Sequence, residues 1–183
     1  YVYLSKNTDY RNIKLVELNK INLFDGEIIH SPGINFKISN SEKLIYIKQT
    51  NPMDWILFKN TNLSNWNIIF KGVYNDKNFN LKKNKFSRFN SYGLTGCLTF
   101  YKSKLFETNF NLENGMCEDI LNLNNSSGNI NNITINNALF DAIDLDFSKI
   151  SMNNVNITKA GNDCIDFSSG KYLIKKVLDR KST

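Results

Sequence analysis

Residues 139–170, LFDAIDLDFSKISMNNVNITKAGNDCIDFSSG, carry one pattern twice. FDAIDLDFS (140–148) and NDCIDFSSG (162–170) open alike, and EDILNLNNS (118–126) precedes them in the same register. Asp119, Asp141 and Asp163 follow one another at a step of 22 residues, and Asn122, Asp144 and Asp166 keep that step. Between these segments Ile133 matches Val155, Ile135 matches Ile157, and Asn132 matches Asn154. With one extra residue GCLTFYKS (96–103) joins the set. Leu98, Leu121, Ile143 and Ile165 then form one column, and Phe100, Leu123, Leu145 and Phe167 another.

Each unit holds short alternating runs, such as AIDLDF and VNIT, separated by Asn, Ser, Lys and Gly, which is strand periodicity. A unit this short cannot bury its own apolar face and must stack on its neighbours. Stacking in register predicts an all-β, single-stranded, right-handed parallel β-helix, with Ile143 and Leu145 inside the coil and Asp144 and Asp146 outside. The column Asn109, Asn132, Asn154 predicts a structural ladder of side-chain amides, each bonding its copy one coil away.

Upstream, GINFKIS (33–39), KLIYIKQ (43–49), DWILFKN (54–60) and NWNIIFKG (65–72) read as four further strands, with Trp55 and Trp66 as core or cap residues. The expected organisation is a single domain over 1–183: an N-terminal cap or first coil over 1–40, a lateral loop over 73–95, and regular coils over 96–178. RNIKLVELNKINLFDGEII is expected to supply a starting strand pair in preference to a short capping helix. The chain opens on YVYLSKNTDY, without Met and without signal-peptide character, which predicts a piece of a longer or processed polypeptide. At the other end KYLIKKV runs into LDRKST with no polar cap, which predicts a truncated last coil covered by an adjoining domain or by further coils.

The formal net charge of +6 is unevenly spread. Lys71, Lys77, Lys82, Lys83, Lys85 and Arg88 crowd 71–88 against Asp76 alone, while acids cluster from Glu118 to Asp166. The basic segment, interleaved with Tyr74, Phe79, Phe86 and Phe89, has no nucleic-acid fold signature beside it. A solvated loop is expected there, and no nucleic-acid partner. No apolar run is long enough to span a membrane. Cys97, Cys117 and Cys164 fit neither a disulfide framework nor a metal motif and are expected as buried thiols. His30, the sole histidine, receives no role.

From Leu139 onward the pattern resembles the parallel β-helix of the pectin-lyase-like superfamily, and within it the β-helix region that accompanies CotH-type kinase domains in bacterial surface proteins. The likeness covers roughly residues 40–178 as a fold, and 93–175 in detail. It implies a non-catalytic scaffold or carbohydrate-facing module of a larger bacterial protein, extracellular or at the cell surface. Polygalacturonase-type hydrolases are similar at two further points. Their Asn-Thr-Asp motif falls on Leu139, Phe140 and Asp141, and their Gly-Asp-Asp-Cys motif on Gly161, Asn162, Asp163 and Cys164. That resemblance implies Asp141 and Asp163 as catalytic carboxylates, with Asn162 replacing an aspartate and no counterpart for the later His-Gly and Arg-x-Lys motifs.

Stacked acids one coil apart are uncomfortable when all are ionised. Three uses are therefore open. Asp144, Asp146 and Asp166 are expected ligands of calcium, with Asn122 and Asn124 offering neutral oxygens. Alternatively Asp141 and Asp163 cleave a glycosidic bond in a polysaccharide-active hydrolase or lyase, with Asp144 and Asp166 beside them. In the third use the acids at turns accept backbone N–H groups, and the outward ones keep a flat sheet soluble. Asp144, Asp166, Asp146 and Asn122 form the expected binding face, toward a polysaccharide, with Ca²⁺ or no cofactor.

Overall fold

The computed structural model describes residues 19–73 and 88–180. Within them the chain is all β, wound into a solenoid of about five turns with two sheets facing one core. Numbered in chain order, one sheet contains β1 (Asn19–Leu23), β2 (Gly26–His30), β5 (Ile56–Lys59), β8 (Gly96–Tyr101), β10 (Asp119–Asn124), β12 (Asp141–Asp146) and β14 (Ile165–Phe167). The other contains β3 (Ile34–Ser39), β4 (Leu44–Gln49), β7 (Asn67–Lys71), β9 (Lys104–Gly115), β11 (Ser127–Ala138), β13 (Lys149–Ala160) and β15 (Lys171–Arg180), with β6 (Asn62–Ser64) also paired to β9. Residues 1–18 of the expected cap or first coil and 74–87 of the expected loop lie outside the described residues.

The columns fall where the repeat puts them. Asp119 pairs with Asp141, Leu121 with Ile143 and Leu123 with Leu145, all parallel. In the second sheet Ile133 pairs with Val155, and Ile135 with Ile157. These apolar columns are buried together as one continuous core, in which Phe58 and Phe100 stack with centroids 4.8 Å apart. Trp55 and Trp66 are buried, as expected. The asparagine ladder is present: Asn109, Asn132 and Asn154 each donate Nδ2 to the amide oxygen one coil back, at 3.1, 2.7 and 3.1 Å.

The N-terminal strands depart from a purely parallel arrangement. β1–β2, β2–β5 and β3–β4 are antiparallel, and parallel pairing begins only with β4–β7 and β5–β8. Alternating apolar residues fix a strand but not its direction. Here direction is set by the turn at Phe24 and Asp25, both at positive φ, with Gly26 following.

A second ladder shapes the corner between the sheets. Asn60, Lys102, Asn125 and Phe147 all occupy the left-handed region, with φ of 56°, 53°, 51° and 49°. The next residues, Thr61, Ser103, Ser126 and Ser148, are buried. Each serine oxygen accepts the N–H of its counterpart one coil back, at 3.2, 3.0 and 2.9 Å. The same oxygens reach the carbonyls of Phe58, Phe100 and Leu123. In the last coil the position falls on Gly170, and the Tyr172 hydroxyl takes over, accepting the Ser148 N–H at 3.2 Å and donating to Leu145 O at 3.0 Å. Ser126→Ala strips the acceptor from a buried N–H, so it is expected to cost about 2 kcal/mol in urea unfolding. A loss below about 0.5 kcal/mol, the size of a neutral surface change, would show the ladder to be ornamental.

The expectation of three buried thiols fails at Cys97 and Cys117, which form a disulfide with their Cα atoms 5.4 Å apart. Cys97 points into the core from β8, and Cys117 sits two residues ahead of β10, so the coil turns the second sulfur onto the first. A spacing of 20 residues follows that turn and not the repeat, so column alignment does not pair them.

Candidate functional site

The acids of β10, β12 and β14 separate into columns with different surroundings. Asp144 and Asp166 are register partners, with Asn122 and Thr99 continuing their column toward the N-terminal end. Asp144 and Asp146 are half-buried and Asp166 is exposed. The Asn122 amide bridges two of them, donating Nδ2 to Asp144 Oδ2 at 2.9 Å and to Asp146 Oδ2 at 3.2 Å. Asp146 also accepts from Asn124 Nδ2 at 3.2 Å and from Ser168 Oγ at 2.9 Å. Burial, and then the neighbouring Asp146 and Asp166 carboxylates, push the Asp144 carboxyl up to about 7, against the Asn122 hydrogen bond. Asp166 accepts the backbone N–H of Phe167 at 2.7 Å.

In the other column Asp141 is buried and Asp163 exposed. Asp141 Oδ1 accepts both the backbone N–H of Asp163 and Asn162 Nδ2, each at 2.8 Å. It thereby ties the turn that leads into the next coil, the use expected of an aspartate at a turn. The Asp163 carboxylate accepts a longer bond, 3.3 Å, from the same Asn162 amide. Asp119 is buried, and its carboxyl is pushed up to about 8 by desolvation, with the Asp144, Asp141 and Glu118 charges adding to the rise and a Thr95 hydrogen bond opposing it. Among the described residues, no three His, Cys, Asp or Glu side chains are grouped to hold a metal ion.

A second candidate surface lies along the corner that follows this sheet. There a shallow groove of about 460 Å³ is lined by Asn62, Ser64, Lys104, Leu105, Phe106, Ser127 and Gly128. Phe106 is 53% exposed in it. Phe147, on the same corner, is 65% exposed. Holding a bulky side chain in the left-handed region costs on the order of 1 kcal/mol, so Phe147 is kept outward against a local penalty. Asn62, Lys104, Ser127, Lys149 and Lys171 make one column in register. Its three lysines are exposed and pair with no acid among the described residues. This surface was not singled out in the sequence, although Lys149 and Lys171 keep the 22-residue step one position after Ser148 and Gly170.

Among the described residues no helix is long and apolar enough to cross a membrane. Comparison with protein-family models, curated proteins and solved structures finds no match to this chain.

Proposed function

We propose that this chain is a non-catalytic β-solenoid module that holds an extended polysaccharide along the corner between its sheets, within a larger secreted or surface protein. The observation that carries the reading is Phe106, half exposed in a groove rimmed by Asn62, Ser64, Lys104 and Ser127. An exposed ring flanked by short polar side chains stacks on the apolar face of a sugar while its neighbours bond the hydroxyls. Phe147, two residues before Lys149, offers a second exposed ring, and the lysine column favours an acidic polymer over a neutral one. The Cys97–Cys117 disulfide supports an oxidising compartment outside the cytosol. The resemblance to β-helix modules of bacterial surface proteins points the same way.

Electrophoresis through gels containing polygalacturonate or a neutral β-glucan tests this. Retardation is expected with the acidic polymer and is expected to weaken about tenfold in Phe106→Ala, a loss of roughly 1.4 kcal/mol. Equal mobility with and without polymer, or unchanged retardation in Phe106→Ala, would overturn the reading.

A second reading, hydrolysis at the aspartate face, draws on the Asp144 carboxyl near 7, in the range suited to a general acid. Release of reducing ends in the same gels, lost in Asp144→Asn, would favour it instead.

A further inference from the structure

Three polar atoms on neighbouring strands are buried without a hydrogen-bond partner: Thr99 Oγ1, Asp119 Oδ2 and Asn122 Oδ1. Their residues are 0%, 2% and 1% exposed. All three atoms are oxygens, and the register sets Thr99 beside Asn122 and Asp119 beside Gly96. Thr99 and Asn122 are partners across β8 and β10, as are Gly96 and Asp119. A Cβ added to Gly96 would stand 2.6 Å from Thr99 Oγ1 and 2.8 Å from Asn122 Cβ. Glycine at 96 therefore leaves the threonine hydroxyl and the asparagine side chain to meet beside the Asp119 strand. Segment 88–95 borders this place, with the Asp119 N–H bonded to Thr95 O and Arg88 paired to Glu118 at 3.0 Å.

The orientation of the amide is dictated by its neighbours. Asp144 and Asp146 accept from Asn122, and only the Nδ2 side can donate to them. Its oxygen is turned away from those acids and remains bare. A buried polar atom left bare costs about 1–3 kcal/mol, and three of them on two adjacent strands are a large standing cost for one sheet. That cost is lowered when a bound ion or water satisfies them.

We propose that Asp119, Asn122 and Thr99 hold a hard cation of the calcium class between β8 and β10, beside segment 88–95. One carboxylate, one amide and one hydroxyl oxygen are ligands such an ion accepts, with backbone carbonyls and water completing its six to eight positions. The nearby Asp141 and Asp144 carboxylates add negative field without having to touch the ion. This location lies in the column that Asp144 and Asp166 continue, on the coils before theirs, and it uses Asp119 in place of Asp144, Asp146 and Asp166 as the acidic ligand. It is also independent of the polysaccharide reading, because it lies on a different face from the Phe106 groove. A single ordered water is the competing occupant. It would donate to both acceptors and accept from the hydroxyl.

The test is calorimetric titration of the whole chain with CaCl₂ at neutral pH, with thermal unfolding measured alongside. A single saturable site and a calcium-dependent rise in the unfolding midpoint are expected. Both should vanish in Asp119→Asn and weaken about tenfold in Thr99→Val, while Asp166→Asn, on the outer ladder, keeps the affinity of the unaltered chain. Absence of saturable heat with the folded protein would overturn the proposal and leave an ordered water only. Binding that survives Asp119→Asn and is lost in Asp166→Asn would overturn it too, by moving the ion to the outer ladder. Thr99→Val keeps the question decidable if Asp119→Asn fails to fold, since it removes only the hydroxyl from a side chain of nearly the same shape.

Discussion

In calcium-free buffer, Asp119→Asn is expected to unfold at a higher temperature than the unaltered chain at pH 8, and at nearly the same temperature at pH 4. The Asp119 carboxyl is pushed up to about 8 in the fold, chiefly by burial, whereas in the unfolded chain it titrates near the ordinary value of about 3.9. Between those values the folded state holds a proton that the unfolded state has released, so this group makes stability fall as pH rises. The penalty is absent below about pH 4 and complete above about pH 8. At full size it is of order 5 kcal/mol, a ceiling that relaxation of the surrounding side chains reduces. Asn keeps the shape and removes the charge, so the difference between the two chains reports this group together with its coupling to Asp144, Asp141 and Glu118. A variant that melts at or below the unaltered chain at pH 8, or a difference independent of pH, would show that Asp119 is ionised in the fold at little cost. Adding calcium is expected to reverse the order, because the variant then lacks a ligand that the unaltered chain can use.

Opening the Cys97–Cys117 bond is expected to cost about 3 kcal/mol, the value for closing a loop of this size in the unfolded chain. The two cysteines are 20 residues apart and both are buried, at 0% and 5% exposure. Gln49 Nε2 lies 3.3 Å from Cys97 Sγ and 2.5 Å from Asp54 O, so the bond sits inside a small polar knot that joins three coils. Urea unfolding of the oxidised chain and of Cys97→Ala/Cys117→Ala should differ by that amount, with similar slopes. Thiol titration in denaturant should count three groups after reduction and one before it. A count of three without reductant, or equal midpoints for the two chains, would remove the crosslink from the account.

The solenoid was legible because a repeat is a constraint applied several times over. A lone alternating run such as AIDLDF leaves its partner unknown. The same run at 118–126, 140–148 and 162–170 names the partner and the register, and the pairing of Asp119 with Asp141 follows. The buried serines stood in those very segments as their final residues, Ser126 and Ser148, with Gly170 after them. Their role escaped notice because a serine beside asparagines reads as turn composition, and nothing local says that its hydroxyl faces inward. The disulfide was not legible, since its spacing reflects how a coil turns and not how coils align. Nor was the contrast among the acids. Asp119 and Asp163 have the same place in the repeat, yet one is buried next to segment 88–95 and the other lies exposed on the last coils. Burial depends on what lies over a column, and a column cannot report that. Phe106 and the lysines at 104, 149 and 171 were missed for a related reason. Lys104 and Phe106 belong to a coil of slightly different length, so the corner surface emerges only when the coils are stacked in space.

The hydrogen bonds between coils run along the axis of the stack, as they must when parallel strands are laid one above another. A pull on the two ends therefore opens them rung by rung, like a zipper, at low force, instead of shearing a whole strand free at once. Each 22-residue turn that peels away releases roughly 75 Å of extended chain. The covalent clasp between Cys97 and Cys117 closes the chain between them into a loop that the pull cannot extend, so tension passes from Cys117 directly to Cys97 and on to the earlier coils. Such a molecule behaves under tension as an extensible tether with one turn held in reserve, and reduction of one bond releases that turn.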